Sequence, residues 1–386
     1  PGADLFLGAA VLADSSPAWA DTLPTVPDSH ALLQWYDDHQ RHLPWRSVGV
    51  PPDPYAVWIS EIMLQQTRVE TAIPYYLRFL ARFPDVASLA DAQEAEVLAL
   101  WSGLGYYRRC RGLLAAARAI VAAGGKLPAS ARELERLPGI GPYTAAAIAS
   151  IAFAERVPVL DGNVERVLCR FAARSAGQKS RQGRSALLEL AARLLDPLRP
   201  GDSNQALMEL GATVCTPRAP DCPACPLGDD CKARALGAAE SFPARAKRLA
   251  VKRVLQLVAY VERDRQLLLF RRSGAAGQLA GLWEFPLVER GAETAPEALL
   301  ASRYSGSWVL GAPIARLRHA ITTSTFDIEV RRAFFRAADD IVCEAAGGAD
   351  GSDHAEAGWW NIAAVGELAL TGVARKVLSR AGIQPG

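Results

Sequence analysis

From Asp28 to Arg234 apolar residues recur at three- and four-residue steps, the spacing that lays one stripe along a helix face. YAVWISEIMLQQTRVETAIPYYLRFLARF, AEVLALWSGLG, YRRCRGLLAAARAIVAAGG, TAAAIASIAF and SALLELAARLL all carry it. Gly and Pro punctuate the run, as at Gly124-Gly125 and Pro138-Gly139, and end the helices. After Lys252 the period shortens. VLQLVAYVE, QLLLFRR, GLWEFPLVE, STFDIEVRRAFFR and AGWWNI are short, β-rich and interrupted by Gly-containing turns, so they predict strands. PEALLASRY and GVARKVLSRAG add two helices to that half.

The change of period predicts a multi-domain chain: an all-α domain over 28–234, a polar, basic connector over 235–250 and an α+β domain over 251–386. Its 386 residues agree, because one hydrophobic core stops growing at roughly 250–300. Residues 1–27, rich in Ala, Pro and Asp, read as a disordered leader. The start, LFLGAAVLADSSPAWA, imitates a secretory signal but lacks a basic n-region, and Asp4 and Asp14 flank its apolar run. No apolar run reaches the ~18 residues of a membrane helix. A net charge of +2 neither requires nor excludes nucleic acid, since a basic face can sit opposite an acidic one.

Cysteine usage changes the picture more. Of seven cysteines, Cys215, Cys222, Cys225 and Cys231 lie within seventeen residues, and Cys110, Cys169 and Cys343 are scattered. That is a poor disulfide framework and a good metal site in a reducing compartment. Zinc ribbons usually bring two short Cys-x2-Cys pairs. Here one short pair is flanked by two longer gaps, which better fits a loop wrapped around a 4Fe–4S cluster. Zinc and unligated thiols are the alternatives. Nothing nearby resembles a flavin or nicotinamide site, so the cluster reads as a structural clip presenting Arg218, Lys232 and Arg234 to phosphate.

LPGIGPYTAAAIASIAF makes a tight turn opening onto a helix, where Gly139 and Gly141 let backbone N–H groups approach a phosphate. An ordinary helix–helix turn is the plainer reading. In VPVLDGNVERVLCR, Asp161 precedes a helix starting near Asn163, a capping position. In VWISEIMLQQTRVET, Glu61 interrupts an apolar stretch, and burial among Ile59, Ile62, Met63 and Leu64 would push its pKa upward.

The hairpin string and the cysteine spacing resemble the endonuclease III / helix-hairpin-helix glycosylase superfamily. Over about residues 28–370 the chain is similar to its MutY-type adenine DNA glycosylases. The resemblance implies a 4Fe–4S cluster and excision of adenine paired with 8-oxoguanine by base flipping. The implied partner is double-stranded DNA carrying adenine:8-oxoguanine mispairs, met by a monomer in the bacterial cytoplasm at the nucleoid. Asp161 becomes the carboxylate that stabilises positive charge on the sugar, kept ionised by the adjoining helix N-terminus and supported by Asn163. Glu61 becomes the proton donor to adenine N7. Gln65, Gln66 and Thr67 would fill the gap left by the extruded base. Arg46 would line the pocket or meet a phosphate, and Arg108, Arg109 and Arg111 would meet phosphates. Tyr106 would wedge beside the damaged guanine, with a core aromatic as the alternative. Tyr143 stands where strand-cleaving relatives carry a nucleophilic lysine. It forms no Schiff base, so the enzyme is expected to be monofunctional, with the tyrosine hydroxyl bonded to Asp161.

LVAYVERDRQLLLFRR followed by AGLWEFPLVE resembles the opening of a Nudix fold. Glu289, Glu293 and Glu297 occur without the helical acidic box of a working hydrolase, so this domain is expected to bind and not to hydrolyse. In RHAITTSTFDIEV, Ile321, Thr322 and Thr323 stand where the family reads 8-oxoguanine with Phe-Ser-His. His319 either substitutes for the missing histidine or anchors the strand. The rival functions are a bifunctional glycosylase/lyase, a non-catalytic iron–sulfur DNA sensor and a nucleotide-pool hydrolase. Tyr143, the pair Glu61 and Asp161, and the missing acidic box respectively oppose them.

Overall fold

The computed structural model describes residues 29–46, 52–175, 180–244, 251–291, 294–321, 324–336 and 354–384. The leader, Glu293, Thr322, Thr323 and Cys343 lie outside these residues. The helical segment comprises α1 (Ser29–His39), α2 (Pro54–Leu64), α3 (Val69–Arg82), α4 (Val86–Ala90), α5 (Glu94–Trp101) and α6 (Tyr107–Ala122). It continues through α7 (Ala131–Leu134), α8 (Pro142–Phe153), α9 (Gly162–Phe171), α10 (Arg181–Arg193), α11 (Pro200–Thr213) and α12 (Lys232–Ala235). Strands then begin: β1 (Lys252–Tyr260), β2 (Glu262–Arg263), β3 (Gln266–Arg272), β4 (Trp283–Glu284) and β5 (Leu287–Glu289). After α13 (Pro296–Tyr304) come β6 (Ser307–Ile321), β7 (Ser324–Arg336), β8 (His354–Asn361) and α14 (Gly372–Arg380). Helical and strand periods thus change over where the hydrophobic spacing does. Among the described residues no helix is long and apolar enough to cross a membrane.

The chain packs as two compact units. Among the described residues, one draws on those within 1–42, 129–131 and 145–246, the other on those within 43–128, 132–144 and 247–386. In the first, α11 packs against α1 and α9. Leu32 and Tyr36 of α1, Val164 and Leu168 of α9, and Leu207 and Leu210 of α11 are buried. Glu209 on α11 is 1% exposed and is neutralised by a two-pronged bond from Arg41, at 2.6 and 3.0 Å. A buried carboxylate of this kind persists only when paired. Gly211 lets α11 close on α9, since a Cβ there would come within 2.6 Å of Asn163 Cβ.

The second unit combines helices with the α+β part. Asp53 caps α2 by accepting from Tyr55 N at 3.1 Å, and Pro54 occupies the first helical position. Val57, Trp58, Ile59, Ile62 and Met63 are all buried, as expected of a helix apolar around most of its circumference. One sheet has the order β5-β1-β7-β6, with β1 parallel to β7; in the other, β3 pairs with β2, β4 and β8. β1 is covered on both faces. Leu257 and Ala259 join Leu300 and Tyr304 of α13, whereas Val258 and Tyr260 join Val377 and Leu378 of α14. Glu284, 2% exposed, is held by Arg272 at 2.8 Å and His354 at 3.0 Å. The turn after α5 is tied to the α+β part at Leu370. Its carbonyl accepts from Ser102 Oγ and from the Tyr107 hydroxyl, each at 3.0 Å, and its N–H donates back to Ser102 Oγ. Arg111 adds a bond to the Ala280 carbonyl.

Candidate active site

α2 buries Glu61, at 7% exposure, one turn before the helix ends. Its carboxylate accepts the hydroxyl of Tyr143 at 3.0 Å. Tyr143 is the second residue of α8, directly after the glycine turn, so the hairpin itself delivers this hydroxyl. The hydroxyl that the sequence analysis pairs with Asp161 is thus placed on Glu61. Gly139 holds φ at 76° and packs on Gly112, where a Cβ would meet Gly112 Cα at 2.9 Å. A side chain is excluded there twice, by conformation and by space. Gly141 has nothing within 4 Å of a Cβ position, so its backbone is open to approach.

Asp161 caps α9. Its Oδ1 accepts from Val164 N at 2.7 Å and its Oδ2 from Asn163 Nδ2 at 3.2 Å. Burial raises the Asp161 carboxyl above its ordinary value, against the lowering pull of the Val164 and Asn163 amides and the Arg166 charge. The amides of the helix N-terminus favour the ionised form, as expected, while loss of water is the larger effect and opposes them. The segment entering Asp161 is fixed by Asn204, fully buried, which binds Val157 O and Ser150 Oγ at 2.9 Å and Val159 N at 3.1 Å. Arg166, one turn into α9, donates to Asn163 Oδ1, Gly211 O and Cys215 O, each at 2.8 Å. Neither Asn204 nor Arg166 was singled out in the sequence. The four-residue step from Arg166 to Arg170 on a helix leading to the cysteines was the available signal.

The cysteine loop follows α11. Arg170, 2% exposed, donates to Cys215 Sγ at 3.3 Å and to Thr216 O at 2.7 Å. Burial, with smaller contributions from Cys215, Cys231 and Cys222, pushes the Cys225 thiol up to about 12. Cys231 is raised by burial, with Cys215 and Cys222 contributing. All four thiols are free of disulfides and partly buried. Among the described residues no three His, Cys, Asp or Glu side chains converge on a single-ion position. Gly228 lets the loop close, since a Cβ there would lie 2.9 Å from Cys225 O and 3.0 Å from Cys222 O.

The turn after α2 holds Gln65, Gln66 and Thr67. Gln65 Nε2 donates to Thr144 Oγ1 at 3.0 Å, and Thr67 Oγ1 donates to Gln65 O at 3.4 Å. Gln66 is exposed and left-handed, with φ 57°. Tyr106 is 49% exposed, which removes the core-aromatic alternative. Arg46 is partly buried beside a turn closed by its own N–H on Leu43 O at 2.9 Å. Two arginines expected at phosphates are engaged within the protein. Arg109 donates to carbonyls at the end of α2, and Arg111 pairs with Glu94 at 2.7 Å and binds Ala280 O. Arg108 is exposed.

The model of the HhH-GPD superfamily base excision DNA repair protein matches residues 59–193, which include Glu61, Tyr143 and Asp161. Adenine DNA glycosylase of Schizosaccharomyces pombe is 34% identical over 324 residues, covering 69% of this chain and 70% of that protein. The chain belongs to the adenine DNA glycosylase family. Adenine DNA glycosylase of Homo sapiens is 40% identical over 344 residues, or 75% of this chain and 62% of that one. That of Arabidopsis thaliana is 42% identical over 294 residues, or 67% and 46%. The chain therefore spans less than two thirds of the human and plant family members.

In the C-terminal part, Ile321 ends β6 at 42% exposure, paired across the hairpin with Ser324. His319 lies partly buried opposite Phe326, and a Cβ on Gly372 would come within 3.2 Å of its ring. Burial and the nearby Lys376 charge lower its pKa. This packing places His319 with the strand-anchoring alternative. Arg318 and Asp327 pair across the same hairpin at 2.8 Å.

Proposed function

We propose that this chain is a monofunctional glycosylase that removes adenine mispaired with 8-oxoguanine or guanine from duplex DNA. The observation that carries the reading is Glu61, buried in an apolar helix and held by Tyr143 at 3.0 Å. A buried carboxyl oriented by a neighbouring hydroxyl suits a proton donor; a surface for binding DNA alone has no use for it. In the proposed reaction Glu61 gives its proton to adenine N7 as the bond between N9 and the sugar C1′ breaks. The electron pair leaves with adenine. Asp161 supplies the anion that stabilises the oxocarbenium-like sugar, and water adds to C1′ as its proton passes to the Glu61 carboxylate, restoring the acid. The products are adenine and an abasic strand. Tyr143 offers no amine to C1′, so the strand is left uncut.

Cys215, Cys222, Cys225 and Cys231 would hold a 4Fe–4S cluster, whose contribution when bound is to order the loop. Arg218 and Lys232 are exposed in this loop and would meet phosphate; in the hairpin, the backbone of Gly139 and Gly141 would do so. In the C-terminal part, read as a Nudix-like domain, Ile321 with Thr322 and Thr323 would meet the 8-oxoguanine. The deciding experiment compares single-turnover adenine release from duplexes with 8-oxoguanine, guanine or cytosine opposite. Release fastest with 8-oxoguanine supports the reading. Equal rates on all three would remove the mispair assignment, and no release would remove the activity.

A further inference from the structure

In the helical part of the second unit two exposed side chains stand on left-handed backbone: Gln66 with φ 57° and Tyr106 with φ 49°. Residues with a Cβ adopt that region at a cost and keep it only where surroundings impose it. One guanidinium is common to both turns. Arg109 Nη1 donates to the carbonyls of Ile62 at 2.9 Å, Met63 at 3.1 Å and Gln65. Its Nη2 donates to Gly105 O at 3.3 Å and Thr67 Oγ1 at 3.4 Å. Thus it brackets Gln66 between bonds to Gln65 and Thr67, and grips the residue before Tyr106. Its Cζ lies 5.3 Å from the centre of the Tyr106 ring and 5.6 Å from that of Trp101. The Ile62, Met63 and Gln65 carbonyls belong to the last turn of α2, where helix acceptors lack intrahelical partners. Arg109 therefore closes the helix that carries Glu61 and shapes both neighbouring turns.

A phosphate contact, the role expected of this arginine, fits the geometry poorly. Both terminal nitrogens are committed to protein oxygens, and burial lowers its pKa to about 10. We propose that Arg109 is a positioning residue that presets Gln66 and Tyr106 as one rigid probe of the duplex before DNA arrives. It does so through the planar fork of arginine, which reaches several carbonyls while its face lies on an aromatic ring; lysine brings the charge without the fork. The inference rests on the reading of the chain as a DNA glycosylase.

The test uses the full chain with Arg109→Lys, which keeps charge, and Arg109→Met, which keeps only the apolar stem. Protein labelled with 3-fluorotyrosine gives a fluorine NMR line for Tyr106, assigned by its loss in Tyr106→Phe. In both variants without DNA that line should move toward the position of free fluorotyrosine, while those of Tyr260 and Tyr304 stay in place. With adenine:8-oxoguanine duplex, the loss should fall mainly on KM, by roughly 10- to 100-fold, the scale of a misplaced contact. Lysine should rescue little of it. An unmoved Tyr106 line in both variants, or wild-type KM in Arg109→Lys, would overturn the proposal. Should Arg109→Met fail to fold, Arg109→Lys decides by the same two readings. If the wild-type chain released no adenine at all, the functional reading would fall, and the NMR arm would still decide whether Arg109 presets the turns.

Discussion

Tyr143 donates its hydroxyl hydrogen to Glu61 across 3.0 Å, joining the glycine hairpin to the apolar helix α2. The position that withholds an amine from the sugar thereby orients the proposed acid. Tyr143→Phe should slow single-turnover adenine release by about tenfold, the kinetic equivalent of about 1.4 kcal/mol and within the range of one hydrogen bond. Glu61→Gln should cost ~10²–10⁴, the usual contribution of a general acid. Unchanged release in Tyr143→Phe would show that the bond plays no part in the reaction.

The product strand should stay intact until alkali is added, and borohydride should trap little covalent adduct. Tyr143→Lys should gain trapping, because an amine then stands where the hairpin delivers the hydroxyl. Strand scission by the wild-type chain keeping pace with adenine release would require another lysine to act as nucleophile.

Asp161 links stability to pH. Burial raises its carboxyl in the folded state, so the fold favours the protonated form. Its contribution is therefore fully present below the ordinary Asp value of about 3.9 and is lost as pH rises through the raised folded value. At neutral pH Asp161→Asn should raise Tm, since asparagine keeps the cap without the buried charge. The gain should vanish in acid, and adenine release should be abolished at every pH. In the wild type, release should fall on the acid side at a pH above the ordinary Asp value. A lower Tm for Asp161→Asn at pH 7 would mean that the amide and Arg166 contacts outweigh burial.

Purified anaerobically, the protein should be brown and contain about four irons per chain, the content of one cubane cluster. Cys225→Ser should lower iron content and weaken duplex binding. Stoichiometric zinc without iron would replace the cluster with a tetrahedral site.

Deleting everything after Lys252 is a blunt test of lesion recognition, because Ser102, Tyr107 and Arg111 would lose Leu370 and Ala280. Substitutions at the exposed hairpin end are cleaner. Ile321→Ala should reduce the ratio of adenine release rates, 8-oxoguanine over guanine, by a few-fold, as expected for partial loss of one apolar contact. His319→Ala should lower Tm and leave that ratio close to wild type. The reverse pattern would make His319 the reader.

Much was legible in the chain itself. Hydrophobic spacing located the helices, the strands and the change between them, because periods of 3.6 and 2 follow from local geometry. The cysteine spacing, the glycine turn, a lone Glu61 in an apolar helix and Asp161 before a helix start each carry their chemistry in a short string. Tertiary structure decided what depends on residues far apart. Helices with similar apolar stripes do not say which of them share a core, so the assignment of α2 and α9 to different compact units could not be read. The Tyr143 bond to Glu61, Asn204 beneath the segment entering Asp161, and Arg109 between two turns are fixed by packing across dozens of residues. The Asp161 carboxyl shows the same limit: its helix N-terminus is visible in the string DGNVER, but the burial that outweighs it arises only when the chain is folded.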